Sequence, residues 1–245
     1  MERKMNEKYK IADCVFEIQT IYSYVHEMCC EYRTEENPEF IISTEEKDIE
    51  WEQKKAEENQ NKQNDFPAKY FESLAVYRKI AEVLIDRNIL LIHGSAIAVD
   101  GQGYLFTAKS GVGKSTHVRF WRETFGTRSQ MINDDKPLLK IKESGVWIYG
   151  TPWDGKHHLS TNVSVPLKAI CILRRGEENR ICRLTGQKAY SYFLQQSYRS
   201  SNPKDIVKSF SLLELLTLKI PIYKLECNLE KRAALIAYEG MQEEN

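Results

Sequence analysis

The sequence has no C-x-x-C pair. Its six cysteines (Cys14, Cys29, Cys30, Cys171, Cys182 and Cys227) are scattered. That argues for reduced thiols used as small apolar side chains, against a disulfide framework or a thiolate metal site. There is no excess of charge either: 35 Lys plus Arg stand against 35 Asp plus Glu. No global field therefore favours nucleic acid or an anionic membrane surface, and neither is expected as a partner. No stretch approaches the roughly 20 apolar residues of a spanning helix. The charged opening Met1–Lys10 leads into no apolar segment, so a cytoplasmic protein is expected. Internal repeats are absent too. What is present is an ordinary globular composition, 42% apolar over 245 residues, enough for one large domain or a core with an appendage.

Along the chain, "KIADCVFEIQ" alternates as a strand does, and residues 21–32 carry apolar groups at helical spacing. "EFIIS" is a short apolar run, after which Ser43 and Glu46 form a capping box for a charged helix reaching about Glu58. "ENQNKQND" (58–65) has no apolar residue and reads as an exposed linker. Pro67 then opens a helix with a stripe from Tyr70 to Ile85, capped by Asn64 or Asp65. Strands follow: "ILLIH", "SAIAV" and, across the turn "DGQG", "YLFTA". A helix over 115–125 stops at Gly126. Next come "SQMIN", "PLLKIK", "VWIYG", "LKAICIL" and "RICRL" as strands. A helix starts at Asn202-Pro203, "IPIYKLEC" is a strand, and Asn228 caps a last helix. The expectation is an α/β protein with a mixed sheet: residues 1–65 a small α+β N-terminal appendage, 66–245 the core domain. The hairpin "SAIAV…YLFTA" argues against a purely parallel, doubly wound sheet.

The most informative stretch is "FTAKSGVGKST", Phe106–Thr116. The phosphate-loop pattern G-x-x-x-x-G-K-[ST] fits from Ala108 to Ser115 at every defined position but the first, where Ala108 replaces Gly. Gly111 and Gly113 let backbone N–H groups turn toward phosphates, and the following helix adds its positive end. Ser110, Gly111, Val112, Gly113, Lys114, Ser115 and Thr116 are thus candidate nucleotide-binding residues. Lys114 would reach the β- and γ-phosphates and the Ser115 hydroxyl would bind Mg²⁺. Farther on, "MINDDKP" ends an apolar strand in Asp134-Asp135. One carboxylate can serve the metal, a hard cation that takes oxygen ligands, and the other can accept a proton from an incoming hydroxyl. A signalling GTPase is disfavoured, because no N-K-x-D follows the loop.

Taken together, "HGSAIAVDGQGYLFTAKSGVGKST…INDD" (93–135) resembles two related families. HPr kinase/phosphorylase has an HG strand, a hairpin, an SGxGKS loop and a DD after the next strand. ATP-dependent phosphoenolpyruvate carboxykinase has an HxSA strand, an SGTGKT loop and a DD pair. The resemblance implies a P-loop core of that type, with ATP and Mg²⁺ as cofactors. In the carboxykinases the matching His and Asp bind metal; in the kinase the first Asp of the pair is the general base, which implies Asp134 here. His93 is the next catalytic candidate, and Ser115 and Asp135 are the residues expected on the metal. The resemblance covers about residues 66–240, with its strong motifs confined to 93–135. The chain has no room for the carboxykinases' large N-terminal domain, and its first 65 residues do not read as the kinase's own.

In "GTPWDGKHHLSTN", Trp153, Asp154, Lys156 and His157 are candidates for substrate contact, with an ordinary surface loop as the other reading. His157-His158 lack a third ligand, so zinc is weakly indicated. Arg174-Arg175 either clamp phosphate or form a solvated charge pair. The leading expectation is a Mg²⁺–ATP phosphotransferase acting on a hydroxyl of serine, or of a Ser in a peptide or protein. A nucleotide-sensing scaffold is the alternative, and carboxykinase chemistry is disfavoured by length. A homo-oligomer is left open.

Overall fold

The computed structural model describes residues 4–59, 66–109, 111–197 and 202–242. The chain divides into two compact units, Met1–Leu84 and Ile85–Asn245.

The first unit contains β1 (Met5–Ile11), β2 (Cys14–Thr20), α1 (Tyr24–Met28), β3 (Phe40–Ser43), α2 (Glu46–Asn59) and α3 (Ala68–Leu84). β1 and β2 form a hairpin, where one strand was expected, turning on Ala12 and Asp13, both with positive φ. β3 lies parallel to β2. The entry to α2 also differs from the expected Ser43/Glu46 box. Ser43 belongs to β3, and the Asp48 carboxylate instead accepts from the Glu45 backbone N–H at 2.9 Å. The sequence pattern places α3 in the core domain. It groups instead with the first unit, where its buried Glu72 accepts from Ile21 N, Tyr22 N and Thr44 Oγ1. The linker expected at 58–65 and the caps Asn64 and Asp65 fall almost wholly outside the described residues.

The second unit is a mixed α/β layer structure. Its strands are β4 (Ile89–Leu91), β5 (Ser95–Val99), β6 (Gln102–Thr107), β7 (Ser129–Asn133), β8 (Leu138–Lys142), β9 (Gly145–Tyr149), β10 (Ser164–Arg175), β11 (Arg180–Arg183) and β12 (Ile222–Cys227). They form one sheet in which β4, β8, β9, β10, β6, β5 and β7 are successive neighbours. β12 pairs with β10 and β11. β6, β10 and β12 run parallel, and the other pairings are antiparallel. The expected β5–β6 hairpin turns on Asp100 and Gly101, whose φ of 51° and 76° fit a primed two-residue turn.

Alternation along β10 sends its side chains to two cores. Ile170 and Ile172 meet Ala189 and Phe193 of α5 (Gly186–Gln196) and Leu212, Leu213 and Leu216 of α6 (Pro203–Lys219). Ala169, Cys171 and Leu173 face Val118, Trp121 and Phe125 of α4 (Lys114–Phe125) and Ala234 and Ala237 of α7 (Arg232–Gly240). α5 had not been anticipated. α7 begins beyond Asn228, whose side chain bonds Asn179 and the Glu230 N–H and does not cap the helix. Among the described residues no helix is long and apolar enough to cross a membrane.

Candidate functional site

β5 runs antiparallel to both of its neighbours, so its beginning lies beside the ends of β6 and β7. This brings three sequence-distant segments together: His93 before β5, the glycine loop after β6, and Asp134-Asp135 after β7. Their backbones are tied. Gly94 N donates to Asp135 O at 2.9 Å, Ser95 Oγ to Asp134 O at 3.2 Å, and Thr107 Oγ1 to His93 O at 3.0 Å.

The glycine loop leads directly into α4. Gly111 and Gly113 have φ of +77° and +119°, which L side chains rarely adopt. Gly113 occupies the N-cap and makes no side-chain cap bond, so the first N–H groups of α4 are left for another acceptor. Lys114 is partly buried and donates to the Ala108 carbonyl at 3.3 Å. Burial pulls its ammonium below the ordinary lysine pKa, while the charges of Asp135 and Asp134 pull upward. Ser115 is exposed and Thr116 half-buried at the start of the helix. Ser110 lies outside the described residues. Val112 and Gly111 present their carbonyls to Arg175, which donates to both. Arg175 thus holds the loop. The adjacent Arg174 turns to the hydroxyl and ring of Tyr192 on α5.

The two aspartates differ. Asp135 pairs with His93 (Nε2 to Oδ1, 3.2 Å) and with Lys136 (3.3 Å). Burial alone would raise its carboxyl, but the His93 hydrogen bond and the Lys136 charge outweigh that and hold it below the usual carboxylate value. Asp134 is 7% exposed, and its Oδ1 is buried with no hydrogen-bond partner among the described residues. Unpartnered buried oxygens are rare enough to need an explanation.

The turn that presents both depends on Asn133, a residue sequence reasoning missed. Its fully buried side chain accepts from Asp135 N and Lys136 N at 2.8 and 2.6 Å, an Asx-type turn. Its amide donates to the Thr151 carbonyl, the Thr151 hydroxyl and the Trp153 carbonyl. An Asn ahead of Asp-Asp-Lys-Pro was the available signal. The loop after Thr151 therefore lies against the turn, and a Cβ added at Gly155 would stand 3.0 Å from the Asp135 Cβ. Of the four substrate candidates there, Trp153 is 3% exposed and sits in the protein interior. Asp154 is also buried, bound to His158 and Ser160. Lys156 and His157 are exposed. Among the described residues no group of three or more His, Cys, Asp or Glu side chains could hold a metal ion.

Residues 64–234 match the family model described as "SynChlorMet cassette protein ScmC". The chain belongs to the ScmC family. Among solved structures, it is similar to the Hpr(Ser) kinase/phosphatase from Coxiella burnetii at 12% identity and a TM-score of 0.34, over 62% of this chain and 96% of that one. That likeness is too distant to carry a statement about activity. No curated protein matches the chain. Within this ScmC-family chain, the ends of β6 and β7 and the start of β5 form the place where glycine loop, lysine and carboxylates meet.

Proposed function

We propose that this ScmC-family protein is an ATP-dependent kinase that transfers the γ-phosphate to a hydroxyl, as the resemblance of residues 93–135 to HPr kinase/phosphorylase implies. The observation that carries the reading is the convergence of a partly buried Lys114 with Asp134 and Asp135 at a glycine loop whose helix N-terminus has no side-chain cap. Backbone N–H groups of 111–115 receive the phosphates, and Lys114 neutralises charge on the transferring group. An apolar hollow of about 430 Å³ on the α4 side of the loop, lined by Val112, Thr116, Phe120, Leu173 and Leu229, suits the base and ribose.

Mg²⁺ would be held by the Ser115 hydroxyl and by an Asp135 oxygen given up by His93 or Lys136, with waters and phosphate oxygens as its other ligands. When bound, it screens the charge of the phosphates. Asp134 takes the proton of the acceptor hydroxyl as that oxygen bonds to the γ-phosphorus. The bond from γ-phosphorus to the bridging oxygen breaks, and ADP leaves. His93 orients Asp135.

Lys114→Ala tests the reading. A phosphate charge loses its partner, so ATP affinity should drop at least about tenfold by calorimetry. Equal affinities would remove the loop from nucleotide binding. A scaffold that binds ATP without transferring it is distinguished by the wild type: labelled γ-phosphate appearing on a hydroxyl acceptor excludes it.

A further inference from the structure

A second cleft, about 710 Å³, opens beside α5. Among the described residues, Lys109, Arg174, Arg183, Lys188 and Lys224 line it, and no carboxylate does. In a chain with 35 basic and 35 acidic residues, such a grouping is a local field and not a consequence of composition. Lys224 has an acid just outside the lining, Glu226 at 2.7 Å. Arg174 is bonded to the Tyr192 hydroxyl, and the charge of Glu226 reaches it as well as Lys224. Thr185, the residue before α5, also lines the cleft and makes no side-chain cap bond, so the positive end of that helix adds to the field.

The cleft is continuous with the glycine loop, because Lys109 belongs to both. It also lies at the carboxyl ends of the parallel strands β6 and β10, represented by Lys109 and Arg174, where open α/β sheets bind ligands. Its volume is that of a multi-group ligand, larger than one anion needs. A single nucleic-acid strand would call for aromatic stacking platforms along a groove. Among the described residues Tyr192 is the one aromatic lining residue, and its ring is covered by Arg174.

We infer that this cleft binds the phosphate acceptor as an acidic peptide segment, a Ser flanked by Asp or Glu whose carboxylates meet Arg174, Arg183, Lys188 and Lys224. Delivery of the Ser hydroxyl to the γ-phosphate rests on the kinase reading; peptide binding does not. Lys109, part of the glycine loop, is the residue the two sites share.

The experiment uses the 245-residue chain and a fluorescein-labelled peptide holding one Ser among Glu and Asp. Comparison probes are the same peptide with Gln and Asn, the same with Lys, and a single-stranded RNA of equal length. Anisotropy should give an acidic-peptide affinity at least about tenfold above that of the neutral one, falling with salt. Lys188→Glu, an exposed change on α5, should weaken the acidic peptide about tenfold or more and shift preference toward the Lys peptide. Arg174→Gln should weaken it as well. Circular dichroism on both variants shows whether they fold, and the ATP affinity of Lys188→Glu by calorimetry should match wild type. Equal binding of acidic and neutral peptides, tighter binding of RNA, or unchanged affinity in a folded Lys188→Glu would each overturn the inference. ATP binding without acidic-peptide binding removes the cleft and leaves the kinase reading. Peptide binding without ATP binding does the reverse.

Discussion

A buried carboxylate oxygen without a partner costs free energy unless something outside the chain engages it. Asp134 Oδ1 is in that position, while its neighbour Asp135 is held by His93 and Lys136. The base role proposed for Asp134 therefore needs a side-chain rotation that brings one of its oxygens to the acceptor hydroxyl. Asp134→Asn keeps the shape and loses the basicity, so single-turnover transfer at saturating ATP should fall by about 10²–10⁴, with ATP affinity close to wild type. A fall below about threefold would pass the role to His93, and collapsed ATP binding would make Asp134 a metal ligand. His117 offers a different test. Burial pulls its pKa down to about 3, and its Nε2 accepts from Trp121 Nε1 at 3.0 Å. The unfolded value is about 6.5, so between these two pH values the unfolded chain binds the extra proton. Stability therefore rises with pH across that window, is complete above about 6.5, and is lost as pH falls. His117→Gln keeps an acceptor for Trp121 and cannot charge, so its melting temperature should fall less than wild type between pH 7 and pH 5. Parallel curves would contradict this. Lys114 and the aspartates were legible because their chemistry repeats in a short pattern. Asn133 was not: its role depends on Thr151 and Trp153, which only the folded sheet brings to it.

The glycine loop owes its form to two supports, its own backbone freedom and Arg175 at the end of β10. Gly113→Ala forces a side chain onto φ +119°, at a cost of about 1–3 kcal/mol. Arg175→Ala removes the donors to the Gly111 and Val112 carbonyls, and on the kinase reading a nucleotide would then have to order the loop itself. Each change should weaken ATP by about tenfold, read by calorimetry, and Gly113→Ala should also lower the melting temperature. Full ATP affinity in Arg175→Ala would show that the loop holds its shape unaided. Elements with punctuated ends were readable from sequence: the Asp100-Gly101 turn between β5 and β6, and α4 closing at Gly126. α5 was not, because Leu184-Thr185-Gly186 reads as a turn and the aromatic run Tyr190–Phe193 suits a strand as well as a helix. Its helical state is decided by packing Ala189 and Phe193 onto the sheet.

The packing partner of α3 is the feature least legible in the sequence. The polar stretch 58–65 reads as a linker, and the apolar stripe of α3 shows that it packs but not against what. Its partner is set by a buried carboxylate. Glu72 is 0% exposed and accepts from Ile21 N at 2.7 Å, Tyr22 N at 2.9 Å and Thr44 Oγ1 at 2.6 Å, joining the ends of β2 and β3 to the helix. Lys79 and Arg78 on α3 reinforce this by pairing with Asp48 and Glu52 of α2. Removing the helix would strand three donors, each costing about 1–3 kcal/mol if left buried, which would consume most of the stability of so small a unit. A fragment comprising Met1–Leu84 should therefore fold alone, with a cooperative thermal transition by circular dichroism, and one ending at residue 65 should not. Glu72→Ala in the longer fragment should abolish or strongly lower the transition, while Glu72→Gln, which keeps one acceptor oxygen, should lower it less. Cooperative folding of the 1–65 fragment would show that α3 is dispensable to the first unit, and would return it to the domain that carries the glycine loop.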